Sequence, residues 1–335
     1  MILNYLENNY LILYLLLIIL TYFLASKANR VGLAFNLIDK PNYRKLHKGN
    51  VPIVGGIIIF VCFGTKIIFD SFIYELNYKN LNYFIFSSIF FILGLIDDKY
   101  EINSYIKFIS SILILIFAIN TGLFPKIIYL HFEFIGVFWL ESLSIFFTIL
   151  SFLLLLNALN MSDGINGYSI SLFIIFSIFI CFKISKIDTN LILLIILLLI
   201  VLIFNLKNKI FLGDSGVYFL TSYLSCYFIE LGNSNIKIFA EEILLVMFLP
   251  GLDMLRVFMF RIKNKSDPFK ADRIHLHHLL EIKYGWKKSY LILISIVSIT
   301  LLVKYIFAIN AWYFILIYII TYIYFIYKNK ILLSK

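Results

Sequence analysis

Runs of roughly 18 or more apolar residues recur along this chain, and each is long enough to cross a bilayer as a helix. They dominate what it can fold into. Of 335 residues, 62% are hydrophobic and 14% charged, whereas a soluble domain is roughly 45–50% apolar and about 25% charged. No soluble globule of this length hides that much apolar surface. The expectation is an all-α polytopic membrane protein, one integral domain over residues 1–335, not two or three soluble domains.

Hydropathy gives about eleven spans, near 3–25, 52–69, 81–96, 105–121, 142–157, 168–183, 191–205, 216–231, 239–258, 289–308 and 311–327. The shortest runs, around 81–96 and 142–157, are the weakest. With the N-terminus outside, the inside segments are 26–51, 97–104, 158–167, 206–215, 259–288 and the tail. Lys and Arg concentrate in 26–51, 259–288 and the tail, while the outside loops hold Lys79, Lys126, Lys186 and Lys237. That asymmetry favours this orientation, with a cytoplasmic C-terminus. It also accounts for the net charge of +10 without nucleic acid. Basic residues follow the first apolar run instead of preceding it, so that run reads as a retained helix, not a cleavable signal. Cys62, Cys181 and Cys226 form no Cys-x-x-Cys pair, which supports neither zinc nor a disulfide framework. Residues 126–139 partly alternate polar and apolar and contain Gly136, which reads as a short hairpin or interfacial loop.

The residues that resist this composition fall on one expected side. Asp97 and Asp98 are adjacent carboxylates whose repulsion a divalent cation would offset. A solvated loop is the plain alternative. In residues 157–167, Asn157, Asn160 and Asp163 are spaced by three, so a continuing helix stacks them on one face. Gly164 and Gly167 there allow a tight turn and close approach. Residues 208–216 hold Gly213-Asp214-Ser215-Gly216, a turn whose N–H groups suit phosphate, with Asp214 as a bare helix cap the alternative. Residues 261–280 carry Asp272, Arg273, His275, His277 and His278, better suited to a phosphate-bearing substrate than to zinc. Arg44, Lys45, His47 and Lys48 precede a Pro-x-x-Gly-Gly entry to the second span and suit a lipid phosphate at the interface, with positive-inside bias alone the plain alternative. Each signal is modest alone. Polar residues at membrane depth are costly, and together these five segments point to function.

The set resembles the polyprenyl-phosphate N-acetylhexosamine-1-phosphate transferases, closer to the WecA-like branch than to the MraY-like one. The matching elements are D-x-P-x-x-R-K-x-H (Asp39, Pro41, Arg44, Lys45, His47) with P-x-x-G-G, then Asp97–Asp98. N-A-x-N-x-x-D-G-x-x-G follows at 157–167, F-L-G-D-S-G at 211–216 and D-R-x-H-x-H-H at 272–278. The resemblance implies a UDP-N-acetylhexosamine donor, an undecaprenyl-phosphate acceptor, Mg²⁺ (or Mn²⁺), UMP as product and a multi-pass place in the bacterial inner membrane. Membrane lipids are the surroundings, no nucleic acid is involved, and a homodimer is one assembly left open. Carried over residue by residue, it makes Asp214 the foremost metal ligand, supported by Asp163. Asp97, Asp98 and Asp163 become the catalytic acids, one of the first two helping to activate the lipid phosphate. Arg44, Lys45, His47, Asn157, Asn160, Asn166, Asp272, Arg273, His275, His277 and His278 become substrate-binding. Asn166 departs from the family, which usually has a second Asp there; an amide keeps the size but cannot act as a base.

The implied chemistry is attack of a lipid phosphate oxygen on the β-phosphorus of the UDP-sugar. Two rivals are weaker. A prenyltransferase would need a second Asp-rich helix. A lipid or ion transporter would place polar groups at the centres of broken spans, and only Lys66, Pro250, Asp253 and Lys304 invite that reading.

Overall fold

The computed structural model describes residues 2–40, 49–73, 78–184, 187–234, 238–268 and 274–328. Helices α1 (Ile2–Ser26) and α2 (Ala28–Phe35) are followed by two-residue strands β1 (Ile38–Asp39) and β2 (Val51–Pro52). Then come α3 (Gly55–Ile73), α4 (Tyr78–Tyr100) and α5 (Ser104–Asn120). Strands β3 (Tyr129–Phe132) and β4 (Gly136–Trp139) lead through a 3₁₀ turn at Glu141–Leu143 into α6 (Ser144–Ser162). The rest is helical: α7 (Tyr168–Lys183), α8 (Thr189–Asn205), α9 (Gly213–Asn233), α10 (Ala240–Lys263), α11 (Leu276–Tyr284), α12 (Trp286–Phe307) and α13 (Ala311–Lys328).

Each of the eleven expected spans falls on one helix. Among the described residues six helices are long and apolar enough to cross a membrane, and α1 with α2, bent by 74° at Lys27, makes a seventh candidate. The chain is an all-α polytopic membrane protein. The weak spans prove to be others than the sequence indicates. The helices at 81–96 and 142–157 continue through Asp97–Asp98 and Asn157–Asn160 to full crossing length, because the helix runs on into polar residues that a hydropathy window trims. The short apolar helices are instead α5, α7 and α8. The expected hairpin at 126–139 forms, with β3 and β4 antiparallel.

Two compact units make up the chain, the division passing through α7 and α9. One comprises Met1–Ile102, Asn120–Phe124 and Phe173–Cys226. In it α1, α3 and α8 pack on one another and α4 packs on α3. Phe60 stacks between Phe84 and Phe91, with Phe219 edge-on to all three. Small residues let the backbones meet, as membrane helices require where lipid supplies no driving force for association. A Cβ on Gly56 would lie 2.3 Å from the Gly216 nitrogen, and one on Gly94 would lie 2.6 Å from the Asp214 carbonyl oxygen. Main-chain bonds fix the same junction. Phe211 N–H donates to Pro52 O (2.9 Å), Gly55 N–H to Phe211 O (2.9 Å) and Gly56 N–H to Leu212 O (2.9 Å). The Pro-x-x-Gly-Gly and Phe-Leu-Gly-Asp-Ser-Gly segments are thus laced together. Lys66, deep in α3, is paired with Asp70 one turn on and with Asn190 of α8 at 2.6 Å.

The other unit comprises Asn103–Ile119, Pro125–Leu172 and Tyr227–Lys335. Here α6 and α13 pack on α10, and α11 packs on α12. Lys304 of α12 donates to Glu242 of α10 at 2.5 Å. Lys66, within α3, and Lys304, in the last turn of α12, therefore serve as helix-to-helix ties. Breaking such a buried pair on one side is costly, because the remaining charge is left without compensation.

The glycine junction predicts a stability difference. Gly56→Val should lower stability by about 1–3 kcal/mol through overpacking. Gly251→Ala, where nothing lies within 4 Å of the added carbon, should leave it within about 0.5 kcal/mol or raise it. Thermal unfolding of the detergent-purified protein measures both.

Candidate active site

In the first unit Asp97, Asp98 and Asp214 come together. Asp98 lies in the last turn of α4, and its carboxylate accepts N–H bonds from Asp214 (2.8 Å) and Ser215 (3.0 Å) in the first turn of α9. A helix start offers unpaired N–H groups and a positive dipole end, so a carboxylate there is favourable. Gly213 makes the approach feasible. Its φ is +79°, and a Cβ would lie 2.7 Å from an Asp98 oxygen. The sequence reading assigned these N–H groups to a phosphate. Asp98 takes those of Asp214 and Ser215 instead, so the turn is capped from within the chain. Asp97 is buried, and its Oδ1 accepts from Ile102 N–H at 2.8 Å, closing the end of α4. Asp214 is half-buried in the first turn of α9.

Tyr218, one turn beyond Asp214, is buried within electrostatic reach of all three acids. Sequence reasoning passed over it. Its only signal is the i, i+4 spacing from Asp214, and in a chain with 23 tyrosines it does not stand out.

In the second unit the asparagine segment meets the histidines. Asn157 and Asn160 lie on the last turns of α6, and Asp163 is its C-cap. Asn157 Nδ2 donates to Leu153 O one turn back at 2.7 Å. Asn160 Oδ1 is buried with no hydrogen-bond partner among the described residues. Asp163 accepts from the Ser169 hydroxyl. Asn166 is half-buried in the turn before α7. A Cβ on Gly164 would lie 2.3 Å from His277 Nε2 and 3.1 Å from His278 Cε1, so this motif glycine is where the histidine segment seats.

His275 and His277 are buried with parallel rings 5.5 Å apart, and His278 lies 4.2 Å from His277 and beside Glu281. Asp253 of α10 holds the segment. It is 7% exposed and accepts from His275 Nδ1 (2.9 Å), Leu276 N–H (3.0 Å), Arg256 Nη2 (3.0 Å) and Tyr322 Oη (2.7 Å). Arg256 also donates to Ile274 O. The carboxylate both caps α11 and orients His275. Because a carboxylate only accepts, His275 Nδ1 carries the proton in this pair. Sequence alone marked Asp253 as a mid-span acid next to Arg256, and it is that and more. Its partners at 275, 276 and 322 have no sequence signal. Arg44, Lys45, His47, Asp272 and Arg273 lie outside the described residues.

The profile of glycosyl transferase family 4 matches residues 80–232, a stretch holding both asparagines, Asn166 and all four motif acids. The undecaprenyl-phosphate alpha-N-acetylglucosaminyl 1-phosphate transferase of Thermotoga maritima is 27% identical over 306 residues, covering 90% of this chain and 91% of that protein. Over residues 80–232 the chain is similar to glycosyl transferase family 4. Two further proteins are similar. The transferase of that name from Escherichia coli K12 is 24% identical over 90% of this chain and 84% of its own length. A probable undecaprenyl-phosphate N-acetylglucosaminyl 1-phosphate transferase of Bacillus subtilis is 25% identical over 75% of this chain and 71% of its own.

Two substitutions test the roles of Asp98 and Asp253. Asp98→Ala leaves two N–H groups of α9 without their acceptor and should destabilise by about 1–3 kcal/mol; Asp98→Asn, keeping an acceptor oxygen, should cost less. Asp253→Ala strips four donors of their partner in a buried setting and should cost about 3–5 kcal/mol. Unfolding temperatures unchanged in both alanine variants would contradict these roles.

Proposed function

We propose that the protein transfers N-acetylhexosamine-1-phosphate from a UDP-sugar to undecaprenyl phosphate, releasing UMP, as the first membrane step of a cell-envelope glycan such as O-antigen or teichoic acid. The observation that carries this reading is the assembly of Asp97, Asp98 and Asp214 at a glycine-lined junction of three helices, in a chain similar to named transferases along nine-tenths of its length. The reaction forms one bond, from a lipid phosphate oxygen to the β-phosphorus. It breaks one, from that phosphorus to the oxygen bridging to the α-phosphate, which leaves on UMP.

Two anions must meet, so their repulsion has to be offset. The acids suit a hard divalent cation. Mg²⁺ binds through one or two carboxylates and completes its shell with substrate phosphates and water. Asp214, half-buried and acidic at a helix start, would hold the ion in its unit, and Asp163 is the second acid that the family resemblance nominates. Bound there, Mg²⁺ (or Mn²⁺) supplies charge neutralisation for the departing UMP.

The chain's own residues do the rest. Asp98 holds the start of α9 and with it the position of Asp214. Asp97, buried beside it, is the acid we assign to the lipid phosphate. Asn160, with its buried unpartnered oxygen, His277 and His278 face the nucleotide or its phosphates, with Asn157 and Asn166 on the same segment. His275 is oriented by Asp253. Arg44, Lys45 and His47 are assigned to the lipid phosphate, and Asp272 and Arg273 to the nucleotide. The site works at the cytoplasmic face of the inner membrane.

The test is UMP release by purified protein given undecaprenyl phosphate, Mg²⁺ and a panel of UDP-N-acetylhexosamines. Lipid-dependent release with one donor is expected. EDTA should abolish it, and Asp214→Ala should lower kcat by about 100-fold or more, the scale of losing a principal electrostatic stabiliser. Full metal-dependent turnover in Asp214→Ala would overturn the assignment. Asn166→Asp tests whether the family's usual acid changes the preferred sugar.

A further inference from the structure

The hairpin β3–β4 is apolar where it is exposed. Its turn residues Phe134 and Ile135 are 72% and 77% exposed. Val137, Phe138 and Trp139, consecutive along β4, are also exposed. Successive strand residues point to opposite faces, so both faces of the ribbon present apolar side chains. Patches of this kind mark an interaction surface.

The base and one side of the hairpin are tied to the ends of spanning helices by polar contacts. Ile128 N–H donates to Asn233 Oδ1 (2.9 Å) at the end of α9, and Asn233 Nδ2 donates back to Lys126 O (2.7 Å). Glu133 N–H donates to Glu241 Oε1 (2.9 Å) in the first turn of α10. Asn310, between α12 and α13, donates to Glu133. His131 meets Phe239 edge-on. Ile127 N–H donates to Thr148 Oγ1 (2.8 Å) in the first turns of α6. These ties place the hairpin at the end of the second unit where α6 begins, while Asn157, Asn160 and Asp163 lie at the other end of α6. That helix is about 28 Å long at the usual rise per residue, close to the thickness of the hydrocarbon core.

We infer that the hairpin is an interfacial anchor, with Phe134–Ile135 and Phe138–Trp139 seated in the headgroup–acyl boundary of the lipid bilayer. Continuity names lipid as the occupant. β4 runs through a single 3₁₀ turn, which carries exposed Leu143, into α6, whose exposed Phe146, Leu150 and Leu154 continue the same apolar surface down a spanning helix. Depth follows from the backbone. A two-stranded ribbon has open edges whose polar groups need water or headgroups, so it cannot enter the hydrocarbon core. Exposed Glu133 and Glu141, one on either side of the apolar set, also require a wet boundary. Tyr129 and Trp139, paired across the strands at 5.1 Å, are the side chains that favour such a boundary. The anchor fixes the level of the second unit in the bilayer, and so the level at which the far end of α6 meets the opposite surface.

The test uses fluorescence of the full chain and needs no catalytic activity. Trp286→Phe with Trp312→Phe leaves Trp139 as the only tryptophan. The protein is reconstituted in phosphatidylcholine vesicles brominated either near the top of the acyl chains or near the bilayer centre, and separately exposed to acrylamide. The expected result is blue-shifted emission that shallow bromines quench by about twofold or more, deep bromines quench less, and acrylamide barely reaches. Adding Ile135→Asp should weaken the shallow quenching. Efficient acrylamide quenching without bromine quenching would overturn the proposal in favour of a water-exposed hairpin. Shielding from both, relieved by diluting the protein in lipid, would overturn it in favour of a second copy of the chain.

Discussion

Helix ends inside a membrane protein expose N–H groups that bulk water does not reach, and each must find an acceptor within the chain. Here carboxylates supply it. Asp98 caps α9, Asp253 caps α11, and Asp188 caps α8 through the N–H groups of Asn190 and Leu191. The first two acceptors come from other helices, so each cap is also a tertiary tie. The negative charge sits at the positive end of a helix dipole, which lowers the cost of keeping a carboxylate at depth. Within each unit, much of what places the candidate residues depends on its own tie.

The glycines are the steric counterpart. Gly56 against Gly216, and Gly94 against Asp214 and Ser215, let three helix backbones approach within side-chain distance of one another. Gly213, at positive φ, turns the chain so that Asp98 can reach the start of α9. In the second unit Gly164 leaves the room that His277 fills. The motif glycines are therefore packing residues first. Their effect on chemistry runs through the acids and histidines they admit.

Much of this was legible in the sequence, and the remainder has a physical reason for being hidden. Apolar runs located every helix but α2 and α11, which lie in segments read as loops, and alternation at 126–139 located the hairpin. The polar clusters marked the segments that assemble in each unit. Hydropathy trimmed α4 and α6, because a window averages away helix that continues into Asp97–Asp98 and Asn157–Asn160. Pairings over long separations left no local trace. Lys66 with Asn190, Lys304 with Glu242 and Tyr322 with Asp253 join residues that only folding brings together. The capping role of Asp98 was hidden for a related reason. A carboxylate that would suit a metal is equally a helix cap, and only the geometry of its two N–H donors distinguishes the second use.

The central claim is that the sugar leaves its nucleotide together with the β-phosphorus. The most direct measurement follows that atom, using UDP-N-acetylhexosamine labelled with ³²P at the β position, purified protein and undecaprenyl phosphate. The account predicts that label enters the organic phase as a lipid diphosphate sugar while the UMP formed is unlabelled. Label that remains wholly in water-soluble phosphate or sugar phosphate, with folded protein and lipid present, would contradict it.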